Sequence, residues 1–232
     1  MASQLNASSY LDHLQSSGND LPTLGDTVVL ALHPSARPSR PRQLGGPFGA
    51  VEIERRGGRV ITVSPLGPGP AVVAITVELL AALGVSNIIA TGIASVLAAQ
   101  EIPGDEPSGF VVEAAISNDS VSCRYGDRLH ADPELTDLLR HEVGLSTATS
   151  YSTSTPFRLD VAAALASGAN LIEMEAAAFF SVSNELGLSA GLAVVPSDVT
   201  TATSWHPLDP AVVNARVAAL AERCRAIAAD LR

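Results

Sequence analysis

The chain has 232 residues, of which 47% are hydrophobic, 16% charged and 4% aromatic, a composition that builds a core and excludes disordered or fibrous classes. Its 24 acids against 14 bases leave a formal charge of -10 and a pI near 4.8, which excludes the clustered positive surface that nucleic acid requires and disfavours an anionic membrane. All 14 bases are arginine, so Schiff-base chemistry, pyridoxal phosphate anchoring and the lysine of a Walker loop have no ε-amine to use, and any anion must be held by arginines, backbone amides or a helix N-terminus.

Residues 1–25 are polar and turn-forming without sustained periodicity, and they lack the basic start and apolar run of a signal peptide. They are expected to be a flexible N-terminal extension to one domain over residues 26–232 of a cytoplasmic protein. Runs rich in β-branched residues predict strands at Thr27–Leu32, Ala50–Glu54 and Val60–Val63, then a helix at Ala71–Leu83 and strands at Asn87–Thr91 and Phe110–Ile116. The charged run Glu52–Arg59 reads as the polar face and turn of a hairpin.

Asp132, Pro133 and Gly144 bracket a helix over Asp132–Val143 as N-cap, first helical residue and C-terminal stop. Helical patterns follow at Arg158–Ser167, Glu173–Gly187 and Asp209–Leu231, separated by short strands at Ser146–Ser150, Asn170–Ile172 and Gly191–Val195. Alternation at this density predicts an α/β fold, a three-layer α/β/α single domain whose central mixed sheet is covered by helices on both faces. Cys123 and Cys224 stand apart from each other and from any histidine cluster, so they read as free thiols, with no metal site and no cofactor implied. No apolar stretch reaches the length of a membrane span.

Chemistry is suggested at three places. Ser64-Pro65-Leu66-Gly67-Pro68-Gly69-Pro70 precedes a helix and reads either as a rigid turn or as a loop aiming amides at an anion. In Asn170-Leu171-Ile172-Glu173-Met174-Glu175-Ala176 an apolar strand runs into an Ala-rich helix, the junction where open α/β sheets bind ligands. Glu173 and Glu175 are two residues apart and cannot share a helical face, so one points inward while the other caps the helix or faces solvent. Finally, Asp198 follows the apolar strand Leu192–Val195, where desolvation raises a carboxyl's pKa toward use as a general acid; a plain turn aspartate after Pro196-Ser197 is the alternative.

In order and spacing, Glu173-Met174-Glu175-Ala176-Ala177, Glu185-Leu186-Gly187 and Ser197-Asp198, with the stretch Val77–Gly92 before them, resemble the nucleoside phosphorylase and nucleosidase superfamily from about Thr27 to the C-terminus. The resemblance implies a nucleoside or related small molecule as substrate and a homo-oligomer as the assembly. It implies that Glu175 accepts hydrogen bonds from ribose hydroxyls, that Met174 packs under the sugar, and that Asp198 protonates the departing purine or hydrogen-bonds to it. Glu173, Thr91, Gly92 and Tyr151 join the substrate-binding set on the same basis, Tyr151 as the aromatic nearest the base.

The phosphate-binding pattern of that family is altered. The first loop reads Ala31-Leu32-His33-Pro34-Ser35-Ala36-Arg37, Gly46-Pro47-Phe48 stands where a second arginine belongs, and Ala90-Thr91-Gly92-Ile93 lacks the arginine and hydroxyl of the third element. Losing charge-assisted contacts costs about 1.5–3 kcal/mol each in anion binding. Hydrolysis with Asp198, Glu175 and His33 as a base is therefore the leading expectation, although His33 before Pro34 also suits a simple turn. A phosphorylase with an anion site rebuilt from Arg37, Arg40 or Arg42, and a fold reused for another small molecule or for binding alone, are the alternatives.

Overall fold

The computed structural model describes residues 6–37, 42–44, 51–56, 59–65, 67–98 and 108–231. Along the chain lie α1 (Ala7–Ser16), β1 (Thr27–Ala31), β2 (Arg42–Leu44), β3 (Val51–Arg56), β4 (Arg59–Pro65), α2 (Pro70–Ala82), β5 (Asn87–Leu97), β6 (Phe110–Asn118) and α3 (Pro133–Val143). They are followed by β7 (Ser146–Thr153), α4 (Val161–Ala166), β8 (Leu171–Glu173), α5 (Ala176–Glu185), β9 (Ser189–Thr200), β10 (Trp205–Pro207) and α6 (Pro210–Asp230). The strands join in one sheet in the order β10-β9-β6-β7-β8-β5-β1-β4-β3-β2, with β9 also pairing β5. The sheet is mixed: β1, β4, β5 and β9 run parallel where they meet, whereas β6 is antiparallel to β9 and β8 to β5.

Strand alternation divides the core between two faces. Val28, Leu30, Ile88, Ala90, Leu192 and Val194 point to the side covered by α1, α2 and α5. Val29, Ala31, Ile89, Ala193 and Val195 point to the side covered by α3 and α6. This is the three-layer α/β/α arrangement expected from the strand and helix alternation. A further feature is closure, because β5-β9-β6-β7-β8 returns to β5 and makes a five-stranded ring within the sheet. Leu97, Ala164, Ala169 and Ile172 fill a separate small core on its outside, against α4.

The segment read as an extension outside the domain contains α1. Asn6 caps it by accepting from the Ser9 N–H at 2.9 Å, and Tyr10, Leu11 and Leu14 are buried in the core shared with α2. Their i, i+1, i+4 spacing puts three apolar residues on one face, a stripe too short to stand out among polar neighbours.

Strands β5 and β9 outrun their apolar cores. Their parallel pairing continues from Asn87↔Ser189 to Leu97↔Thr200, with a register shift between Ala94 and Ser95 opposite Pro196 and Asp198. Proline cannot donate to a ladder and is accommodated at such an irregularity. Asp198 therefore lies inside a strand and not in a turn. The hairpin expected from the charged run is present as β3 and β4, its residues 57–58 lying outside those described. Among the described residues no helix is long and apolar enough to cross a membrane.

Candidate active site

One edge of β5 changes partner. Up to Thr91, opposite Ala31, it pairs with the parallel β1; from Ser95, opposite Ile172, it pairs with the antiparallel β8. The carboxyl ends of β1 and β8 thus meet head to head beside Gly92, Ile93 and Ala94, which makes a topological switch point of the kind that forms ligand crevices. Leu32 packs close over Gly92, where a Cβ would stand 3.4 Å from the Leu32 Cβ.

The β8 end delivers Glu173, Met174 and Glu175 to this point, and α5 starts immediately behind them. Glu173 is 6% exposed. Its Oε2 accepts from the backbone N–H groups of Glu175 and Ala176, both at 2.6 Å, and its Oε1 accepts from the Ser152 hydroxyl. Ser152 Oγ in turn accepts from the Ala177 N–H at 2.9 Å. Burial pushes the Glu173 carboxyl up from the usual range while these donors pull it down. Glu173 is thus the cap of α5, occupying the free amides of the helix start. Its carboxylate is not presented to a ligand, which corrects its place in the substrate-binding set. The helix begins at Ala176 and not at Glu173 because Glu173 is still paired as strand, opposite Ser152.

Glu175 faces another way. Half-buried, it accepts from the Gly69 N–H at 2.7 Å. Gly69 has φ 105° and is the N-cap of α2. The Pro/Gly loop therefore does aim an amide at an anion, and the anion is the Glu175 carboxylate of the same chain. Burial, and then the neighbouring Glu173 carboxylate, push Glu175 up to about 7, against the Gly69 and Met174 amides. Met174, also half-buried, lies between the two glutamates.

Asp198 lies on the other side of β5, where Ser95 is opposite both Asp198 and Ile172. Two strand spacings, roughly 10 Å, separate Ile172 from Asp198, with Ser95 of β5 between them. Three donors address the Asp198 carboxylate: Ser197 Oγ at 2.6 Å to Oδ1, and Trp205 Nε1 at 2.9 Å and Thr200 Oγ1 at 3.3 Å to Oδ2. The strand run before it is buried, but Asp198 itself is half-buried, so the enclosure anticipated from the apolar strand is incomplete.

His33 follows the β1 end and caps the 3-10 turn Pro34–Ala36, its Nδ1 accepting from the Ser35 N–H at 3.2 Å. Burial, and then the nearby Arg37, lower its pKa. The Nδ1 lone pair is already engaged within the loop. The loop is pinned to α6 by Ser35 Oγ with Asn214 Oδ1 at 2.8 Å and by the buried Arg225, which donates to the Ala36 carbonyl at 3.3 Å.

Thr91 is fully buried, and its Oγ1 has no hydrogen-bond partner among the described residues. Tyr151 packs with Leu97, Ala164 and Ile172 on the outer side of the closed ring. Successive strand residues face opposite ways, so Tyr151 points away from the side to which Ser152 turns to meet Glu173. Arg40 and Gly46-Pro47-Phe48 lie outside the described residues. Among the described residues no three His, Cys, Asp or Glu side chains group as a metal site. Cys123 and Cys224 are both free, and burial pushes the Cys224 thiol up to about 12.

Ser152 and Trp205 join the site without being singled out from sequence, whereas Gly69 lies in the Pro/Gly loop that was. Trp205 alone carried a usable signal, as the single tryptophan seven residues beyond Asp198 in a polar stretch. Ser152 reaches Glu173 only through the β7 and β8 pairing.

The model of the phosphorylase superfamily matches residues 21–231 of the chain. No curated protein matches it.

Proposed function

Because the chain belongs to the phosphorylase superfamily, a superfamily of enzymes acting on nucleosides, we propose that it is a cytoplasmic, homo-oligomeric enzyme. It cleaves the N-glycosidic bond of a nucleoside or nucleoside-like molecule with water as nucleophile. The observation that carries this reading is the placement of Glu175 and Asp198 on opposite sides of β5 at the switch point. Glu175 accepts hydrogen bonds from the sugar hydroxyls, and Met174 packs under the sugar. In its protonated form Asp198 gives a proton to the base as the bond to the sugar breaks and the sugar carbon becomes oxocarbenium-like, and it regains a proton from solvent after turnover. Water then adds to that carbon and loses its proton to solvent. Glu173 does not touch the substrate; it holds α5 and, through it, the direction of Glu175. His33 orients the nucleophile.

Hydrolysis is favoured over phosphorolysis because the Gly69 amide, the anion donor at the start of α2, is taken by Glu175. The stretch Ala90–Ala94 also offers no arginine. A second reading is carried by Arg37, whose buried Nε has no hydrogen-bond partner among the described residues. It would hold the phosphate of a phosphorylase. Incubation with a panel of purine and pyrimidine nucleosides, with and without phosphate, separates the two. Release of free base without phosphate is the expected result, release only with phosphate favours the Arg37 reading, and no release in either condition overturns both.

A further inference from the structure

Trp205 has a geometry that neither the family match nor the acid pair explains. It is the single tryptophan of the chain, it lies on the three-residue edge strand β10 opposite Thr200, and 63% of it is exposed. Tryptophan is highly buried on average, so an exposed ring held by its own N–H is uncommon. The indole N–H is committed, however, to Asp198 Oδ2 at 2.9 Å. Thr200 Oγ1 donates to that same oxygen at 3.3 Å and lies 2.8 Å from Ser95 Oγ on β5. Trp205, Thr200 and Ser95 thus form a frame behind one carboxylate oxygen, and the indole ring is the member of that frame open to solvent.

Resting on the reading of Asp198 as the group that meets the leaving base, we propose that Trp205 both positions Asp198 and specifies the substrate. Its N–H fixes the carboxylate, and its exposed ring is the surface on which the planar heterocycle stacks. A flat ring system is the ligand chemistry this surface suits, because offset stacking needs an accessible aromatic face and selects planar heterocycles over non-planar groups. Trp205 is a positioning and specificity residue, not an acid or base; its indole donates and cannot release a proton here.

Two substitutions divide the roles, and the exposure of the side chain keeps both variants folded, which a thermal melt verifies. Trp205→Phe keeps a ring and loses the donor; Trp205→Gln keeps a donor and loses the ring. Trp205→Phe is expected to lower kcat about tenfold with KM within about twofold. Trp205→Gln is expected to raise KM about tenfold with kcat nearly unchanged.

Binding is read independently of turnover by titrating free adenine, hypoxanthine and uracil into the full chain. Equilibrium dialysis measures affinity, and the fluorescence of Trp205 reports stacking. Saturable quenching that follows the dialysis isotherm supports the proposal. Base bound by dialysis without a change in fluorescence, or with equal affinity in Trp205→Gln, overturns it and leaves the nucleoside reading standing. The stacking surface would then be sought at the fully exposed Phe157. No base bound by the wild type overturns the nucleoside reading and this proposal together.

Discussion

The two carboxylate regions flanking β5 are built from opposite materials. On the β8 side, Glu173 and Glu175 are held by backbone amides at two helix starts and by one buried hydroxyl. On the β9 side, Asp198 is held by three side-chain donors next to an exposed edge strand. Amides of packed helices cannot rotate away, so the first region keeps its geometry as long as the core is folded. Side-chain donors on an edge can be rearranged by a ligand. On the function proposed above, a rigid grip for the sugar opposite an adjustable group for the base is a division of labour that suits breaking the bond between them.

Removing the group assigned to the chemistry breaks the comparison most sharply. Asp198→Asn is expected to lower kcat on the order of 10³-fold while thermal stability changes little, because half-buried Asp198 carries no packing load. An unaltered rate in a steady-state assay removes Asp198 from the mechanism.

Glu173→Ala is expected to do the reverse. It strands the Glu175 and Ala176 amides and the Ser152 hydroxyl, for a loss of about 3 kcal/mol in denaturant unfolding. A loss below about 1 kcal/mol would show that Glu173 is not the cap described.

Glu175 supplies a pH test. Its folded pKa of about 7 exceeds the ordinary 4.5, so between those values the folded state keeps a proton that the unfolded state has released. The stability this contributes is complete below about pH 4.5 and is lost as pH rises through about 7. Glu173, also raised, acts in the same sense. Melts at pH 5 and pH 8 should therefore show a larger drop for the wild type than for Glu175→Gln; equal drops would deny the shift. Glu175 as an ionised acceptor also predicts that sugar binding strengthens through pH 7.

The smallest effect is expected from Thr200→Val, which removes the longest of the three bonds to Asp198 and leaves the other two. A severalfold loss in kcat/KM, with the fold unchanged, would place the frame behind Asp198 in the catalytic geometry.

Much of the layer architecture could be read in advance. Asp132-Pro133 and Gly144 mark α3 because capping is local chemistry: Asp132 accepts from the Glu134 and Leu135 amides, and Gly144 takes φ 69°. Helix α1 was hidden because its three buried residues have meaning only against α2. Strand β10 was hidden because its partner, the far end of β9, lies beyond the apolar run that marks a strand.

The candidate site divides along the same line. Glu173, Glu175 and Asp198 stand out as residue types at strand ends, whereas the roles of the two glutamates could not be told apart by spacing.

From sequence alone came the family, the alternating α/β order, the exclusion of lysine chemistry and the acids worth testing, because each depends on residue identity and neighbours a few positions away. Tertiary structure alone decided that Glu173 caps while Glu175 faces Gly69, that Ser35 is held to Asn214 of α6, and that Trp205 holds Asp198. Each of these rests on a hydrogen bond whose direction is set by strand register and helix placement, and residues as distant as Gly69 and Glu175 meet only when the sheet assembles.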